Sequence, residues 1–278
     1  MRLGGPVFED CSTPEKWITN LKRYGYSAAF CPVDEKTDYD TIQAYAEAAE
    51  KENIIITETG AWSNPLSNIP EERNKALAFC KARLALAEEI GSRCCVNISG
   101  SRGEQWDGPH PDNLTKDTFD LLVETVRKVI DEVKPARTFY ALETMPWMFP
   151  DSADSYLCLI KAIDRKQFAA HFDPVNLICS PRAYFENASL IRDFVKKLGP
   201  YIKSCHAKDV LLQGKLTAHL DEVRPGLGKL DYQTYLKELN RLGQDTPLLL
   251  EHLATPEEYT TAAEYIRATA KQAGVTII

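Results

Sequence analysis

Residues 167–176 read QFAAHFDPVN, a short apolar run that leads into a histidine, an aspartate and an asparagine around a proline. A short apolar run bounded by turn residues is typical of a buried β-strand that emerges at a polar end. Burying an unpaired carboxylate costs several kcal/mol or shifts its pKa until the group is neutral. Asp173 is therefore expected to have a partner, and the rest of the chain indicates what that partner is.

Seven other short runs resemble this one in length and in their content of Val, Ile, Phe and Ala. They do not alternate cleanly between apolar and polar residues, as expected of parallel strands that are covered on both faces. The predicted strands are 3–8, 26–33, 53–60, 93–100, 137–144, 167–173, 201–209 and 247–253.

Segments of helical period separate these runs. Apolar residues recur every three or four positions in 119–133 and again in 190–198, which gives each segment one apolar stripe. Strands that alternate with helices, without a linker, predict one (β/α)8 TIM barrel domain over residues 1–278. A doubly wound open sheet is the alternative, although no G-x-G-x-x-G motif follows an early strand, which disfavours a dinucleotide-binding form.

The composition excludes several classes of function. The formal net charge is −7 and no run of Lys or Arg is present, which disfavours a nucleic-acid partner. No stretch approaches the roughly 18 apolar residues of a membrane span, and residues 1–10 do not resemble a signal or transit peptide.

The 8 cysteines form no C-x-x-C pair and several lie in apolar runs, so reduced thiols and a cytoplasmic protein are expected.

Four consecutive predicted strands carry a titratable residue at their carboxyl-terminal ends, which form the active-site face of such a barrel. These residues are Glu143, Asp173, His206 and Glu251. Three carboxylates in one cavity would repel each other without a cation. Three carboxylate oxygens and one imidazole suit Mn²⁺, Mg²⁺ or Co²⁺ better than a structural zinc ion bound by cysteines. The pattern therefore predicts one divalent metal ion, with Asp173 as one of its ligands.

Five segments, in this order, resemble the sugar phosphate isomerase/epimerase family with a xylose-isomerase-like barrel: LETMPW, HFDPVN, CHAKD, RPGLGKLDY and LLLEHL. That family includes ketose 3-epimerases, hydroxypyruvate isomerase and inosose dehydratase relatives. The resemblance covers essentially the whole chain. It implies that the four residues named above bind one divalent metal ion and that Glu143 and Glu251 also transfer protons.

The resemblance implies a metal-dependent sugar isomerase or epimerase, with Mn²⁺ as the expected ion and Mg²⁺, Co²⁺ or Zn²⁺ as alternatives. A metal that chelates a carbonyl oxygen and the adjacent hydroxyl acidifies the C–H between them by stabilising an enediolate. A lyase or dehydratase acting on an inosose or a 3-oxo-glycoside would share this step and then lose a leaving group, and it remains the alternative. An apurinic endonuclease needs more histidines than the 5 present, and a catalytically silent binding protein should lack ligands.

Six residues near the strand ends are predicted to contact a small-molecule sugar substrate: Trp62, Asn64, Trp106, Trp147, Asn176 and Lys208. Tryptophan rings can stack on the C–H face of a sugar, while the amides can bind hydroxyl groups. Lys208 could instead form a salt bridge with Asp209. Asn176 and Leu212 replace a histidine and an arginine of the ketose 3-epimerases, so ketohexose epimerisation in particular is not predicted.

The sequence gives only weak indications for three residues near the predicted metal ligands. His171 is expected to share the inward face of Asp173 and to be structural. Alternation along the last strand predicts that His252 points away from the side of Glu251, also in a structural role. Glu222 is a candidate for reaching the pocket. Membrane partners are not expected, and a homodimer or homotetramer stays open.

Overall fold

Eight parallel strands close into a barrel in the computed structural model of the protein, which describes residues 1–278. The barrel strands are β1 (Arg2–Gly4), β2 (Ala28–Phe30), β3 (Ile55–Gly60), β4 (Cys94–Asn97), β5 (Phe139–Glu143), β6 (Phe168–Phe172), β7 (Ile202–Ala207) and β10 (Pro247–Leu250). Around the barrel they follow the chain order, and β10 closes it between β7 and β1. The predicted TIM barrel is therefore confirmed.

The helices cover the outside of the barrel. They are α1 (Pro14–Tyr24), α2 (Tyr39–Lys51), α3 (Pro70–Ile90), α4 (Lys116–Val133), α5 (Ala153–Ile163), α6 (Pro181–Phe185), α7 (Asn187–Leu198), α8 (Tyr232–Asn240) and α9 (Pro256–Ala273). A core of 58 buried residues fills the layer between strands and helices; Phe172 of β6, for example, stacks on Phe194 of α7 at 3.9 Å between ring centroids. None of the helices combines the length and apolarity needed to cross a membrane.

Local sequence explains where α1 begins and ends. The side chain of Thr13 accepts a hydrogen bond from the backbone N–H of Lys16, and Pro14 occupies the first helical turn, where its missing N–H costs nothing. Gly25 follows the last turn with φ 66°, a left-handed conformation that glycine adopts without a Cβ clash. The helix is thus delimited by its own residues, and tertiary packing only fixes which face it buries.

A hairpin between β7 and α8 was not predicted from the sequence. β8 (Asp209–Gln213) pairs with β9 (His219–Val223) in an antiparallel ladder outside the barrel. The outer strand, HLDEV, is largely exposed, so it lacks the apolar run that marked the barrel strands. Several predicted barrel strands were also too long, because apolar loop residues at the barrel mouth continue the strand pattern.

The inward-facing positions change character along the barrel axis. Cys94, Val96, Ala141 and Ala169 form a small apolar cluster inside the barrel. On β5 and β6, the side chains two residues further along the same face are titratable, namely Glu143 and His171, since side chains alternate with period two. The register places Glu143 of β5 opposite His171 of β6. The fold thus gathers polar side chains above an apolar base.

Candidate metal centre and substrate cavity

The four predicted metal ligands meet at the carboxyl-terminal mouth of the barrel. Glu143 ends β5, Asp173 follows β6, His206 lies on β7 and Glu251 follows β10. One ligand atom of each residue lies within 4.8 Å of the ligand atom of every other. Nδ1 of His206 is 3.2 Å from Glu143 Oε1 and 2.8 Å from Glu251 Oε1. The convergence expected from the strand ends is therefore present.

A tight turn orients Asp173 and uses only one of its two oxygens. Oδ1 accepts a hydrogen bond of 2.9 Å from the backbone N–H of Val175, across Pro174. The hydroxyl of Thr144 donates to the backbone carbonyl of Asp173 at 2.9 Å, which joins the ends of β5 and β6. Oδ2 remains directed into the cluster. The turn at Pro174 thus leaves Oδ2 of Asp173 without a hydrogen bond within the turn.

Two buried oxygens in this cluster, Asp173 Oδ2 and Glu251 Oε1, accept no directed hydrogen bond. The ammonium of Lys208 lies 2.8 Å from the first and 2.5 Å from the second, but too obliquely for a directed bond. Buried carboxylate oxygens of this kind, next to an imidazole nitrogen, are suitable ligands for a hard or borderline divalent cation. The cluster could therefore hold one such ion.

The electrostatics of the cluster are set by burial and by two positive side chains. Burial raises the pKa of Asp173 to about 6, although the charge of Lys208 opposes this shift. Burial also acts to raise the pKa values of Glu143 and Glu251, but the positive charges of His206 and Lys208 outweigh it, and both values are lowered. Both glutamates are consequently ionised at neutral pH and able to accept a proton.

A second group of titratable residues lies directly beneath the cluster. Glu58 of β3 is buried, and its Oε1 lies 3.0 Å from Nε2 of His171. The hydroxyl of Ser204 donates to the same oxygen. Glu58 Oε2 lies 3.3 Å from Nε2 of His206. Burial acts to raise the pKa of Glu58, but the adjacent imidazoles of His206 and His171 outweigh it and lower the pKa to about 2.

Glu58, His171 and His206 also lie close enough together to form a second ligand set. However, these side chains already contact one another within hydrogen-bonding distance, and all three are buried. The group therefore serves to support the ring of His206. Glu58 was not predicted because it lies inside a strand rather than at its end; an acidic residue within the apolar run IIITETG was the available signal.

A cavity of about 590 Å³ opens above the predicted ligands. This lies within the range of about 300–1,000 Å³ that is usual for small-molecule sites. Four of the six predicted substrate contacts line it, namely Trp62, Trp106, Asn176 and Lys208. Asn176 also donates a hydrogen bond of 3.1 Å to Glu143 Oε1, which fixes that carboxylate at the cavity wall.

The other two predicted contacts, Asn64 and Trp147, do not line the cavity. The amide of Asn64 donates to the backbone carbonyl of Ser101 at 2.7 Å. The indole N–H of Trp147 donates to the backbone carbonyl of Asp107, also at 2.7 Å. Both side chains therefore brace the loop after β4, and any effect that they have on a ligand would be transmitted through that loop.

The position of His252 differs from the prediction. It lines the cavity, and its Nδ1 lies 3.1 Å from Glu222 Oε1. β10 ends at Leu250, and His252 adopts a left-handed backbone with φ 58°. Strand alternation, on which the prediction was based, therefore stops before His252. Glu222 reaches the cavity from the hairpin, as the sequence had left open.

The end of β7 is held from outside the barrel by two tyrosines of α8. The hydroxyl of Tyr235 donates to the backbone carbonyl of His206 at 3.0 Å, and that of Tyr232 donates to the carbonyl of Lys208 at 2.7 Å. Both tyrosines are buried. They fix the strand segment that carries the imidazole and the ammonium.

Asp209 does not form the salt bridge with Lys208 that the sequence left open. Its carboxylate instead accepts hydrogen bonds from the backbone N–H groups of Gly226 at 2.9 Å and Gly228 at 3.0 Å. Gly226 has φ 96°, and a Cβ on Gly228 would lie 2.3 Å from Asp209 Oδ1. Glycine is therefore required at both positions for the loop before α8 to close on the hairpin.

A closed parallel barrel whose mouth gathers three carboxylates and an imidazole is the architecture of a metal-capable TIM-barrel protein. The sequence profile of the xylose isomerase-like TIM barrel family matches residues 18–269. The chain belongs to this family.

Solved structures of similar fold cover nearly the whole chain. The probable 3-DHS dehydratase AsbF from Bacillus anthracis is 15% identical with a TM-score of 0.70, covering 96% of this chain and 98% of that one. D-psicose 3-epimerase from Clostridium cellulolyticum H10 is 14% identical with a TM-score of 0.69, covering 99% and 100%. A xylose isomerase-like protein from Mycobacterium smegmatis, in complex with magnesium, is 17% identical with a TM-score of 0.67, covering 94% and 90%. At these identities the likeness concerns the fold. No curated protein sequence matches the chain.

Proposed function

We propose that the protein is a divalent-metal-dependent isomerase or epimerase, which moves a proton at the carbon next to a carbonyl group of a sugar or sugar derivative. One observation carries this proposal: Glu143 and Glu251 line the same cavity, and their Oε1 atoms lie 3.2 Å and 2.8 Å from Nδ1 of His206. Two carboxylates placed around one reacting carbon can act as base and acid in turn.

The metal ion would be held by Glu143, Asp173, His206 and Glu251. When bound, it would polarise a carbonyl and an adjacent hydroxyl and so stabilise the negative charge that develops on oxygen. Mn²⁺ is the proposed ion, with Mg²⁺, Co²⁺ and Zn²⁺ as alternatives. The donor set supports this choice because it offers carboxylate oxygens and imidazole nitrogen without a thiolate.

Glu143 and Glu251 would perform the proton transfer. In an isomerisation, one carboxylate removes a proton from one carbon and returns it to the neighbouring carbon, while a second proton moves from the hydroxyl oxygen to the former carbonyl oxygen. In an epimerisation, one carboxylate removes the proton and the other returns it to the opposite face of the same carbon. Asn176 supports the first step, since its hydrogen bond holds Glu143 at the cavity wall. Trp62 and Trp106 would stack on the substrate and exclude water from the reacting carbon.

A lyase or dehydratase is the second candidate, with an inosose or a 3-oxo-glycoside as its substrate. A dehydratase is among the structural neighbours, which favours this candidate over a nuclease. The same carboxylate would remove the proton, and a leaving group on the next carbon would then depart.

The cysteines support a cytoplasmic location. All 8 thiols are free, including the buried Cys80, Cys94, Cys95 and Cys205. Unpaired buried thiols are usual in a reducing compartment. A homodimer or homotetramer remains a prediction.

The experiment that tests the proposal is proton NMR in D₂O on the Mn²⁺-loaded protein with ketoses, aldoses, inososes and 3-oxo-sugars. Deuterium is expected at the carbon next to the carbonyl, and chelator should abolish its incorporation. The labelled carbon and the product distinguish isomerase, epimerase and lyase. A protein that takes up no metal ion, or whose exchange survives chelation, would contradict the proposal.

A further inference from the structure

The cavity contains one lysine, and the charge of this lysine is already paired. Lys208 is 2% exposed, and its Nζ lies 2.8 Å from Asp173 Oδ2 and 2.5 Å from Glu251 Oε1. No arginine lines the cavity. An incoming phosphate or carboxylate group would therefore find no cationic side chain that acidic neighbours have not already neutralised.

Glu222 adds a further carboxylate to this wall. It lies on β9, so the hairpin delivers it from outside the barrel. Its Oε2 lies 3.6 Å from Lys208 Nζ, and its Oε1 accepts the N–H of His252 Nδ1 at 3.1 Å. Glu222 thus faces both basic groups that could otherwise point towards a ligand.

The balance of charge in the cavity stays negative when a divalent ion is counted. Glu143, Glu222 and Glu251 line the cavity and Asp173 lies next to it, which gives four negative charges against three from the ion and Lys208. A protonated His252 would balance that one charge, but the carboxylate of Asp107, which also lines the cavity, keeps the sum negative. A cleft with this excess repels anions and admits neutral ligands.

The opposite wall is apolar and aromatic. Pro6, Phe30, Trp62 and Ile98 lie at or just beyond the ends of β1 to β4 and line the cavity. Trp62 and Trp106 are 42% and 40% exposed, so both residues are accessible to a ligand. Such a wall suits the apolar face of an uncharged ring.

We infer that the substrate is an uncharged carbonyl sugar or cyclic polyol ketone, without a phosphate or carboxylate group, and that Glu222 determines this specificity by excluding anions. The inference rests on the proposed function, because it assumes that the same cavity holds the substrate.

Phosphate binding to a charge variant tests the role of Glu222. Inorganic phosphate would be titrated calorimetrically into the Mn²⁺-loaded wild-type protein, Glu222→Gln and Asp221→Asn. Glu222→Gln keeps the shape of the side chain and can still accept the His252 N–H, but it removes the charge. Asp221→Asn is the matched control, because it removes one charge from the same strand on its other face.

Phosphate is expected to bind Glu222→Gln about tenfold more tightly than the wild-type protein or Asp221→Asn, as loss of one repulsive charge at short range predicts. Equal behaviour of the wild-type protein and Glu222→Gln, including no binding to either, would overturn the role of Glu222. If Asp221→Asn also gained affinity for phosphate, the effect would come from the overall charge of the protein. This result would likewise overturn the role of Glu222.

The substrate class is tested by tryptophan fluorescence quenching with matched pairs, such as D-fructose and D-fructose 6-phosphate. No anionic member is expected to bind the wild-type protein more tightly than its uncharged counterpart. Tighter binding of a phosphorylated or carboxylated member would overturn the substrate class. Because these experiments measure binding, the inferred substrate class can be overturned while the proposed function, which deuterium exchange tests, still holds.

Discussion

Glu58 Oε2 lies 3.3 Å from Nε2 of His206, on the edge of the ring opposite to the one that faces the predicted metal ligands. A carboxylate in this position keeps the proton on Nε2 and leaves the lone pair of Nδ1 free for a metal ion. Glu58 thus acts through His206 and contacts no substrate atom, since it does not line the cavity.

Replacing Glu58 by glutamine should weaken Mn²⁺ binding by about 10–100-fold, the usual effect of losing such a supporting carboxylate. Electron paramagnetic resonance of free Mn²⁺ would measure the affinity. Ser204→Ala is the matched control, because it removes one donor to Glu58 and leaves the carboxylate in place. Unchanged Mn²⁺ affinity in a folded Glu58→Gln protein would show that the contact is structural only.

Glu251→Gln should lower the rate of deuterium incorporation by about 10²–10⁴-fold, because the amide cannot accept the proton. The protein should remain folded, since the substitution removes a charge from a crowded acidic cluster. Circular dichroism would show whether the protein is folded, and the NMR exchange assay would measure the rate of deuterium incorporation. Glu257→Gln, an exposed change in the first turn of α9, serves as the control and should exchange at the wild-type rate. Wild-type exchange by Glu251→Gln would remove Glu251 from the proton transfer.

Metal affinity should fall as the pH is lowered. Burial raises the pKa of Asp173 to about 6, so this ligand gains a proton below that pH. Burial acts to lower the pKa of His206, but Glu251, Glu58 and Glu143 outweigh it and raise the value well above the usual one. Both groups must lose a proton before they bind metal, so the apparent affinity should drop by about tenfold or more per pH unit on going below 6. Mn²⁺ titrations between pH 5 and 8 would measure this, and a flat profile would exclude Asp173 and His206 as ligands.

Removing the metal should lower the melting temperature. An ion that binds only the folded chain adds about 2.7 kcal/mol to the free energy of unfolding at a concentration of 100 times its Kd. Differential scanning fluorimetry with Mn²⁺, and then with excess EDTA, would measure the change. Asp173→Asn should show a much smaller shift, because it weakens the cluster without altering the backbone turn. A shift of equal size in that variant would place the bound ion elsewhere.

The barrel and the convergence of Glu143, Asp173, His206 and Glu251 could be predicted because each depends on a short-range pattern. Strand length, helical period and the position of a residue at a strand end are all readable within a few residues of sequence. Glu58 could not be found in this way, since its partner His206 is 148 residues away and only barrel closure brings them together. Its place inside an apolar strand was the one local indication.

Loop residues were harder to predict than strand residues. Trp147 and Asn64 have the residue types of sugar-binding side chains, yet backbone carbonyls of the loop after β4 occupy their donors. The direction of His252 depended on where β10 ends, and a left-handed residue there reverses the expectation from alternation. Each of these outcomes follows from the path of the chain, which residue type alone does not specify.

The polar and apolar walls of the cavity come from different strands, which affects how the specificity of such a protein can evolve. The four predicted metal ligands lie on or directly after β5, β6, β7 and β10, whereas the apolar wall lies at or just beyond the ends of β1 to β4. Mutations in the loops of the amino-terminal half can therefore alter ligand shape preference while the proton-transfer groups stay intact. Glu58 comes from the amino-terminal half but contacts the predicted ligand His206, so an exchange of half-barrels between relatives would retain chemistry only if that carboxylate were kept.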